Sequence, residues 1–448
     1  MAKDRTRFVC AVCGYESPKW LGRCPGCETW NSLEEERIAP APRAGAITSS
    51  VQATKIEDIE VGDEMRLQTG MQEADRVLGG GLVPGTLVLL AGEPGVGKST
   101  LLLQSAALLS SRGKRVVYVS AEESSRQVAL RARRLGLPTS ALVVLSENNV
   151  ESILAAVLKQ TPDLVVIDSI QTVYVPDLGS GPGTVSQVRD AATCFMKMAK
   201  ASEMTVVLCG QVTKEGFLAG PKVLEHIVDV VLYMEGDSYG TYRLLRCTKN
   251  RYGSTNEVGV FQMTDKGLEE VRNPSECFLA QRPKQTPGSV VVPCVEGTRP
   301  LLVEVQALVG TTPFPSPRRT ATGIDQARLA VLCAVIERKA GVPLANRDVY
   351  VKVAGGLRLV EPAADLGIAL AIISSSQDRP LKSDCVVLGE VGLAGEVRSV
   401  TRLQQRLAES SRLGFRTAVV PRRDHDNLMT DMAVVPVASL VEALEVLI

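Results

Sequence analysis

A glycine-rich octapeptide decides the fold: Gly92-Glu93-Pro94-Gly95-Val96-Gly97-Lys98-Ser99. It satisfies the pattern G-x-x-x-x-G-K-[ST] of a phosphate-binding loop, with an apolar run over 87–91 before it and a helix-compatible run after it. The glycines let backbone N–H groups face phosphates, and the helix N-terminus adds positive potential. The octapeptide, together with Thr100, therefore predicts a site for ATP, in which Lys98 neutralises phosphate charge and the Ser99 hydroxyl binds Mg²⁺.

Two further carboxylate positions belong with this loop. The apolar run Leu164–Asp168 ends in a carboxylate some seventy residues later, and Asp168 is predicted to hold the Mg²⁺ shell through water. Glu122 and Glu123 follow another apolar run, and a carboxylate there suits orientation or deprotonation of the attacking water. We prefer Glu122 for this role over Glu123. The alternative is an acid at a helix start, where the helix dipole favours it.

Residues 55–272 alternate between short apolar runs and amphipathic stretches, which predicts a mostly parallel sheet covered on both faces. The predicted strands span 87–91, 115–120, 142–145, 164–168, 205–210 and 228–235. The predicted helices span 99–112, 125–135, 150–160 and 186–202. The stretches 242–249 and 259–264 alternate more strongly and indicate an antiparallel hairpin at the sheet edge.

Composition limits the class of protein. At 448 residues, the chain is long enough for two or three domains, and its 45% hydrophobic and 22% charged content is that of a globular protein. The formal net charge of zero argues against a generic polyanion-binding surface, so nucleic-acid binding requires local basic patches. We see no secretory signal and no apolar run of about 18 residues, so we expect a cytoplasmic protein without a membrane span.

Four of the eleven cysteines form the pattern C-x₂-C-x₁₀-C-x₂-C: Cys10, Cys13, Cys24 and Cys27. Two such pairs place four thiolates around one structural Zn²⁺. A redox C-x-x-C is the alternative, opposed by the two pairs and by the lack of a thioredoxin-like strand before them. Trp20 lies between the two cysteine pairs and Trp30 follows the second pair, and they either pack the module or offer a surface to DNA or a partner. The scattered cysteines are expected to be buried small hydrophobes.

The loop, the segment 119–124, the Asp168 strand and the run Lys249-Asn250-Arg251-Tyr252-Gly253 together resemble the bacterial RadA family of RecA-related ATPases. The resemblance covers essentially the whole chain. It implies a C4 zinc finger over 1–36, a linker over 37–54 and a RecA-like ATPase domain over 55–272. A second linker over 273–288 and a Lon-protease-like α+β domain over 289–448 follow.

The resemblance also assigns roles. It makes Glu122 the catalytic glutamate, and it likens Lys249 and Arg251 to fingers that a neighbouring subunit supplies in ring helicases. From the residues alone, a basic turn in a hairpin is the preferred interpretation of that run, and only the family pattern reverses this preference. Many members carry a His where this chain has Gln211, and a Gln there resembles the γ-phosphate-sensing Gln of RecA.

The C-terminal domain lacks the Ser-Lys dyad of Lon. By alignment, Ala363 stands at the nucleophile position and Gln404 at the lysine position, so we expect no peptidase activity. Arg318, Arg319, Lys352 and Arg358 are either DNA-facing or part of a solvated surface.

The resemblance implies a DNA-dependent ATPase of DNA repair and recombination. We expect a ring, with a hexamer preferred, that translocates on single strands and drives branch migration of branched intermediates with RecA. The loops 176–189 and 211–223, which carry Arg189, Lys214 and Lys222, would face DNA. The alternatives are an ATP-gated signalling or scaffold ATPase of the KaiC type and an ATP-dependent protease.

Overall fold

The structure is a computed structural model that describes residues 5–10, 15–26, 28–38, 66–176, 178, 180–211, 221–236, 242–283, 285–312, 316–425 and 428–447. It divides into two compact units. The first contains the described residues up to Gly236 together with Arg243–Glu270, and the second contains Tyr242 and the described residues from Val271 onward.

The N-terminal module is a small antiparallel sheet. Its strands are β1 (Arg5–Cys10), β2 (Glu16–Ser17) and β3 (Leu33–Ile38), in the order β2-β1-β3. Its buried cluster consists of Cys10, Cys24 and Leu33, with Phe8 and Leu21 packed against it. Strand β3 continues to Ile38, so the module extends past the boundary predicted at 36. Most of the linker predicted over 37–54 lies outside the described residues.

A nine-stranded sheet forms the centre of the first unit, in the order β12-β11-β10-β9-β4-β8-β7-β5-β6. The strands are β4 (Leu87–Gly92), β5 (Val116–Ser120), β6 (Val143–Ser146), β7 (Leu164–Asp168), β8 (Thr205–Gln211), β9 (Val230–Gly236), β10 (Tyr242–Asn250), β11 (Val258–Thr264) and β12 (Gly267–Glu270). The six from β9 to β6 are parallel, whereas β10 runs antiparallel to β9 and β12 to β11. The predicted parallel sheet with an antiparallel edge is confirmed.

Helices cover both faces of this sheet. They are α1 (Gln72–Leu78), α2 (Lys98–Ser111), α3 (Ser125–Arg134), α4 (Val150–Gln160), α5 (Val185–Ser202) and α6 (Pro221–Leu224). Strand β4 divides its side chains between the faces: Val88 and Leu90 pack with α1 and α2, and Leu87 and Leu89 pack with α4 and α5. Because the strands β4, β5 and β7 are buried on both faces, they are mainly apolar, as the sequence pattern predicts, whereas β6 at the end of the strand order is partly exposed.

The second unit is an α+β domain around a mixed seven-stranded sheet, in the order β15-β16-β14-β13-β17-β20-β21. Its strands are β13 (Ser289–Glu296), β14 (Arg299–Thr311), β15 (Arg319–Thr322), β16 (Arg347–Val353), β17 (Cys385–Val387), β20 (Thr417–Pro421) and β21 (Ala433–Val437), and β18 (Glu390–Val391) and β19 (Val397–Arg398) form a separate pair. Its helices are α7 (Pro274–Leu279), α8 (Gln326–Lys339), α9 (Asp365–Gln377), α10 (Leu403–Arg412) and α11 (Leu440–Leu447).

The connection predicted over 273–288 differs from the structure, because it contains α7. The Asn273 side chain caps this helix by accepting a hydrogen bond from the Glu276 N–H, and Pro274 occupies its first position, where a missing N–H costs nothing. Phe278 is buried, and the Ser275 hydroxyl accepts the Leu302 N–H at 3.1 Å. These residues therefore belong to the second unit.

Candidate active site

The phosphate-binding loop runs from the end of β4 into α2. Gly95 and Gly97 have φ angles of 75° and 114°, which side-chain-bearing residues rarely adopt. Lys98 is buried, and its Nζ donates to the carbonyl oxygens of Gly92 and Glu93, both at 2.8 Å. Arg243 holds the loop from β10 by donating to the Val96 carbonyl at 2.7 Å. Burial lowers the pKa of Lys98, opposed by nearby negative charge that includes Asp168 and Glu122.

Ser99 and Asp168 meet at this loop. The Ser99 hydroxyl donates to Asp168 Oδ1 at 3.0 Å, and Asp168 is 9% exposed at the end of β7. The Asp168–Ser169 peptide bond is cis. A hydroxyl and a carboxylate at this separation are the oxygen donors that Mg²⁺ prefers, so these residues fit the metal.

Asp168 is held from behind by residues that the sequence analysis did not identify. The Tyr118 hydroxyl, on β5, donates to Asp168 Oδ2 at 2.5 Å and accepts Arg131 Nη2 at 3.2 Å. Arg131, on α3, also lies 3.7 Å from Asp168 Oδ2. Burial raises the pKa of Tyr118 well above its usual range, and the Asp168 charge raises it further, so the phenol stays neutral. In the sequence, the signal for this role was a tyrosine, Tyr118, between the valines of β5.

The two candidate glutamates have different surroundings. Glu123 pairs with Arg131 Nη1 at 3.0 Å, and its backbone is fixed by the Ser120 hydroxyl. Glu122 is exposed and accepts a hydrogen bond from the Ser169 hydroxyl, next to Asp168. Glu122 therefore faces the nucleotide side of the strand ends, whereas Glu123 is committed to a structural ion pair.

Gln211 ends β8, directly beside the loop, because it is the strand partner of Gly92. Gln171 donates from Nε2 to the Gln211 carbonyl at 3.3 Å. An open cavity of about 730 Å³ is lined by Glu122, Gln171 and Gln211, among others. The candidate water-activating and sensing residues thus border one space.

Lys249 lies on β10 of the same sheet, and Arg251 follows directly after that strand. Gly92 is opposite Met234 of β9, whereas Asn250 is opposite Val230, which pairs with Val88 at the start of β4. Four residues of strand, about 13 Å, separate these two levels. The run 249–253 therefore lies at one end of the strands, and the phosphate-binding loop lies at the other end.

The N-terminal module fits a metal. Cys10 and Cys24 are buried in one cluster, and the Gly26 N–H points to the Cys24 sulfur at 3.4 Å. An N–H···S contact of this kind stabilises a thiolate ligand, and such a small cluster needs metal to fold. Cys13 and Cys27 lie outside the described residues, and the described ones alone contain no complete metal-binding group.

Relatives that match this chain over almost its whole length share the name DNA repair protein RadA. The chain is 51% identical to the DNA repair protein RadA of Bacillus subtilis (strain 168) over 453 residues, which cover 99% of both proteins. It is 49% identical to RadA of Halalkalibacterium halodurans, covering 100% of this chain and 99% of that one. The RadA protein of Pseudomonas aeruginosa is 49% identical over 94% of each chain.

The chain belongs to the RadA family of DNA repair proteins. A family model described as an AAA domain matches residues 53–216, and one described as a rubredoxin metal binding domain matches residues 8–35. A third, subunit ChlI of Mg-chelatase, matches residues 320–424. The predicted resemblance to RadA is confirmed. These matches support a DNA repair ATPase that binds ATP and carries a zinc ribbon.

In the C-terminal unit of this RadA family member, Ala363 is buried in a short 3₁₀ turn before α9. Gln404, which stays at the predicted lysine position, bonds through its side chain to the backbone of Met429. The residue of α10 that meets the segment before α9 is Arg406, which binds both carboxylate oxygens of Glu361 at 2.7 and 2.6 Å. A guanidinium stays protonated, so it cannot act as the amine base of a Ser-Lys dyad.

Of the candidate DNA-contacting residues, Arg189 is described on α5 beside Asp190. Arg318 and Arg319 lie at β15, and Lys352 lies on β16. Lys214 and the side chain of Lys222 lie outside the described residues. No helix in the described part of the chain combines the length and apolar character that crossing a membrane requires.

Proposed function

We propose that this protein is a DNA-dependent ATPase of DNA repair and homologous recombination whose hydrolytic site is completed between subunits of a ring. The observation that carries the proposal is the separation between the phosphate-binding loop and the 249–253 run. Both sit in one sheet, at opposite ends of its strands. Each protomer therefore has a phosphate site at one end of the strands and a pair of cations at the other end.

Within one subunit, each residue has a separate task. The loop with Thr100 grips the phosphates of ATP, and Lys98 neutralises their charge. Ser99 and, through water, Asp168 hold Mg²⁺, which neutralises phosphate charge when bound. Glu122 orients and deprotonates water, because Glu123 is paired with Arg131. Gln211 reports on the γ-phosphate from the adjacent strand end.

The neighbouring subunit supplies Lys249 and Arg251. Cations delivered to the transferring phosphoryl group stabilise the charge that develops on it. Supply in trans also makes hydrolysis depend on ring geometry. We favour a hexamer.

The substrate is single-stranded and branched DNA, and the motor promotes branch migration together with RecA in the cytoplasm. Arg189, Lys214 and Lys222 face the DNA backbone. Cys10, Cys13, Cys24 and Cys27 hold Zn²⁺ in the N-terminal module, and the C-terminal unit organises the ring without peptidase activity. The family name and the AAA match support the ATPase and its place in repair.

The test is ATP turnover with and without single-stranded DNA, paired with a strand-displacement assay on a branched substrate. We expect stimulation by DNA and unwinding, both absent in Lys98→Ala with an unchanged thermal transition. Turnover indifferent to DNA, without strand displacement, would reject the motor.

The trans arrangement needs its own experiment. Arg251→Ala and Lys98→Ala are each expected to be inactive, and mixing them should restore part of the turnover, because some interfaces then combine an intact loop with an intact finger. A mixture that stays as inactive as its components would show that Arg251 does not act across an interface.

A further inference from the structure

Both cations of the 249–253 run are bound to one segment of their own chain, the stretch 225–229 before β9. Lys249 Nζ donates to the carbonyl oxygens of Glu225 and Val228 at 2.5 and 2.8 Å. Arg251 Nη1 lies 3.3 Å from Asp229 Oδ1, and the Arg251 N–H donates to the Asp229 carbonyl. The two cations that, in the proposed function, act at a neighbouring subunit are thus bound within their own chain.

Asp229 is an unusual partner for an exposed arginine. Its side chain is 1% exposed, whereas that of Arg251 is 52% exposed. Oδ2 accepts the Leu87 N–H at 3.1 Å, at the start of the strand that leads to the phosphate-binding loop. Oδ1 makes no hydrogen bond to the described residues. A buried carboxylate oxygen without a hydrogen bond requires a nearby cation.

Two cations serve that oxygen. Besides Arg251 at 3.3 Å, Lys200 Nζ of α5 lies 4.0 Å from Asp229 Oδ1. When Arg251 moves away, Lys200 remains to balance the buried charge. The arrangement therefore permits Arg251 to leave at a modest cost, which a single buried pair would not permit.

We propose that Asp229 binds the Arg251 guanidinium in a resting position away from a neighbour's nucleotide, and that Lys200 sets how tightly this arginine finger is held. The inference rests on the proposed function, because it assumes that Arg251 works at a neighbour's nucleotide. Asp229 is then a positioning residue that acts through Arg251. Holding the finger back lowers turnover in the resting state, and a ring geometry that offers a better anion releases it.

Two variants should change turnover in opposite directions. Asp229→Asn keeps the volume and an oxygen for the Leu87 N–H but removes the charge, so DNA-independent turnover should rise about two- to five-fold, the range of a half-exposed ion pair. Lys200→Ala leaves Arg251 as the close cation, so turnover should fall by a similar factor. Lys197→Ala, an exposed lysine of the same helix, is the matched control and should leave turnover unchanged.

Salt and a double variant separate this role from a structural one. High salt should shrink the differences that Asp229→Asn and Lys200→Ala show from the wild type, because the Debye length falls to about 3 Å at 1 M. Asp229→Asn combined with Arg251→Ala should show no gain over Arg251→Ala alone. Where Asp229→Asn lowers the thermal transition, the exposed Lys200→Ala still tests the proposal.

The outcomes are distinct. If the turnover of Asp229→Asn falls to the level of Arg251→Ala, Asp229 orients the arginine finger for hydrolysis and does not hold it in a resting position. If Arg251→Ala is inactive while Asp229→Asn and Lys200→Ala match the wild type, this inference fails and the proposed function stands. If Arg251→Ala keeps its turnover, the proposed function itself fails.

Discussion

Replacing Tyr118 by phenylalanine removes one oxygen from the centre of the nucleotide site and leaves the core volume almost unchanged. That oxygen donates to Asp168 Oδ2 at 2.5 Å and accepts Arg131 Nη2 at 3.2 Å. Tyr118 is completely buried and Asp168 is 9% exposed, so water does not take the place of the hydroxyl. The substitution therefore isolates the hydrogen bonds from the packing.

The magnitude follows from the charge of the acceptor. A hydrogen bond to a charged group contributes about 1.5–3 kcal/mol, and Arg131 at 3.7 Å from the same oxygen compensates only in part. Arg131 Nε already lacks a partner among the described residues, so a second unpaired donor adds to the cost. At about 2–4 °C per kcal/mol, the melting temperature should fall by about 3–12 °C.

Scanning calorimetry of the full chain measures this shift, and ATP turnover at saturating Mg²⁺ should fall with it because Asp168 loses its fixed orientation. Tyr174→Phe, at a half-buried tyrosine of the same unit, is the matched control and should stay within about 0.5 kcal/mol. A Tyr118→Phe protein that melts with the control and turns over ATP normally would refute the idea that Tyr118 positions Asp168.

Three more results are expected. Glu122→Gln should abolish steady-state turnover and retain ATP binding, whereas Glu123→Gln should mainly lower stability by losing its pair with Arg131; equal turnover of the two would contradict their assignment. Gly97→Ala should weaken ATP binding, since its φ of 114° strains an alanine within the phosphate-binding loop, while Gly113→Ala, with a φ of 84° outside the loop, controls for backbone strain alone. A chelator should remove one Zn²⁺ per chain and change the emission of both tryptophans, which lie close to the cysteines in the sequence; unchanged emission with zinc released would show that metal does not hold the module.

The sequence predicted elements well wherever local patterns and burial agree. Leu164–Asp168 and Val150–Gln160 have the predicted bounds, the first because parallel strands are buried on both faces and the second because Asn149 caps the helix. Helix α7 differs from the prediction because a proline-rich stretch indicates a linker, although proline also favours the first turn of a helix.

The positioning residues could not be predicted, because they depend on tertiary neighbours. Tyr118 and Asp168 meet only when β5 and β7 pair, and Arg131 reaches both from α3. In the sequence, Asp229 is an ordinary acid near the start of the strand predicted over 228–235. Its burial, and the cations around it, appear only when β4, β10 and α5 come together. Arg406 likewise meets Glu361 only in the folded unit.

The strand register separates the phosphate-binding loop from the 249–253 run along the sheet. Backbone pairing fixes Gly92 at the level of Met234 and Asn250 at the level of Val230, and a side chain cannot cross the intervening strand length along a packed sheet. Arg251 therefore cannot serve its own nucleotide while the sheet is intact. If the cation acts in hydrolysis, as we propose, it acts on another copy, and the role we propose for Asp229 is to determine when it is released.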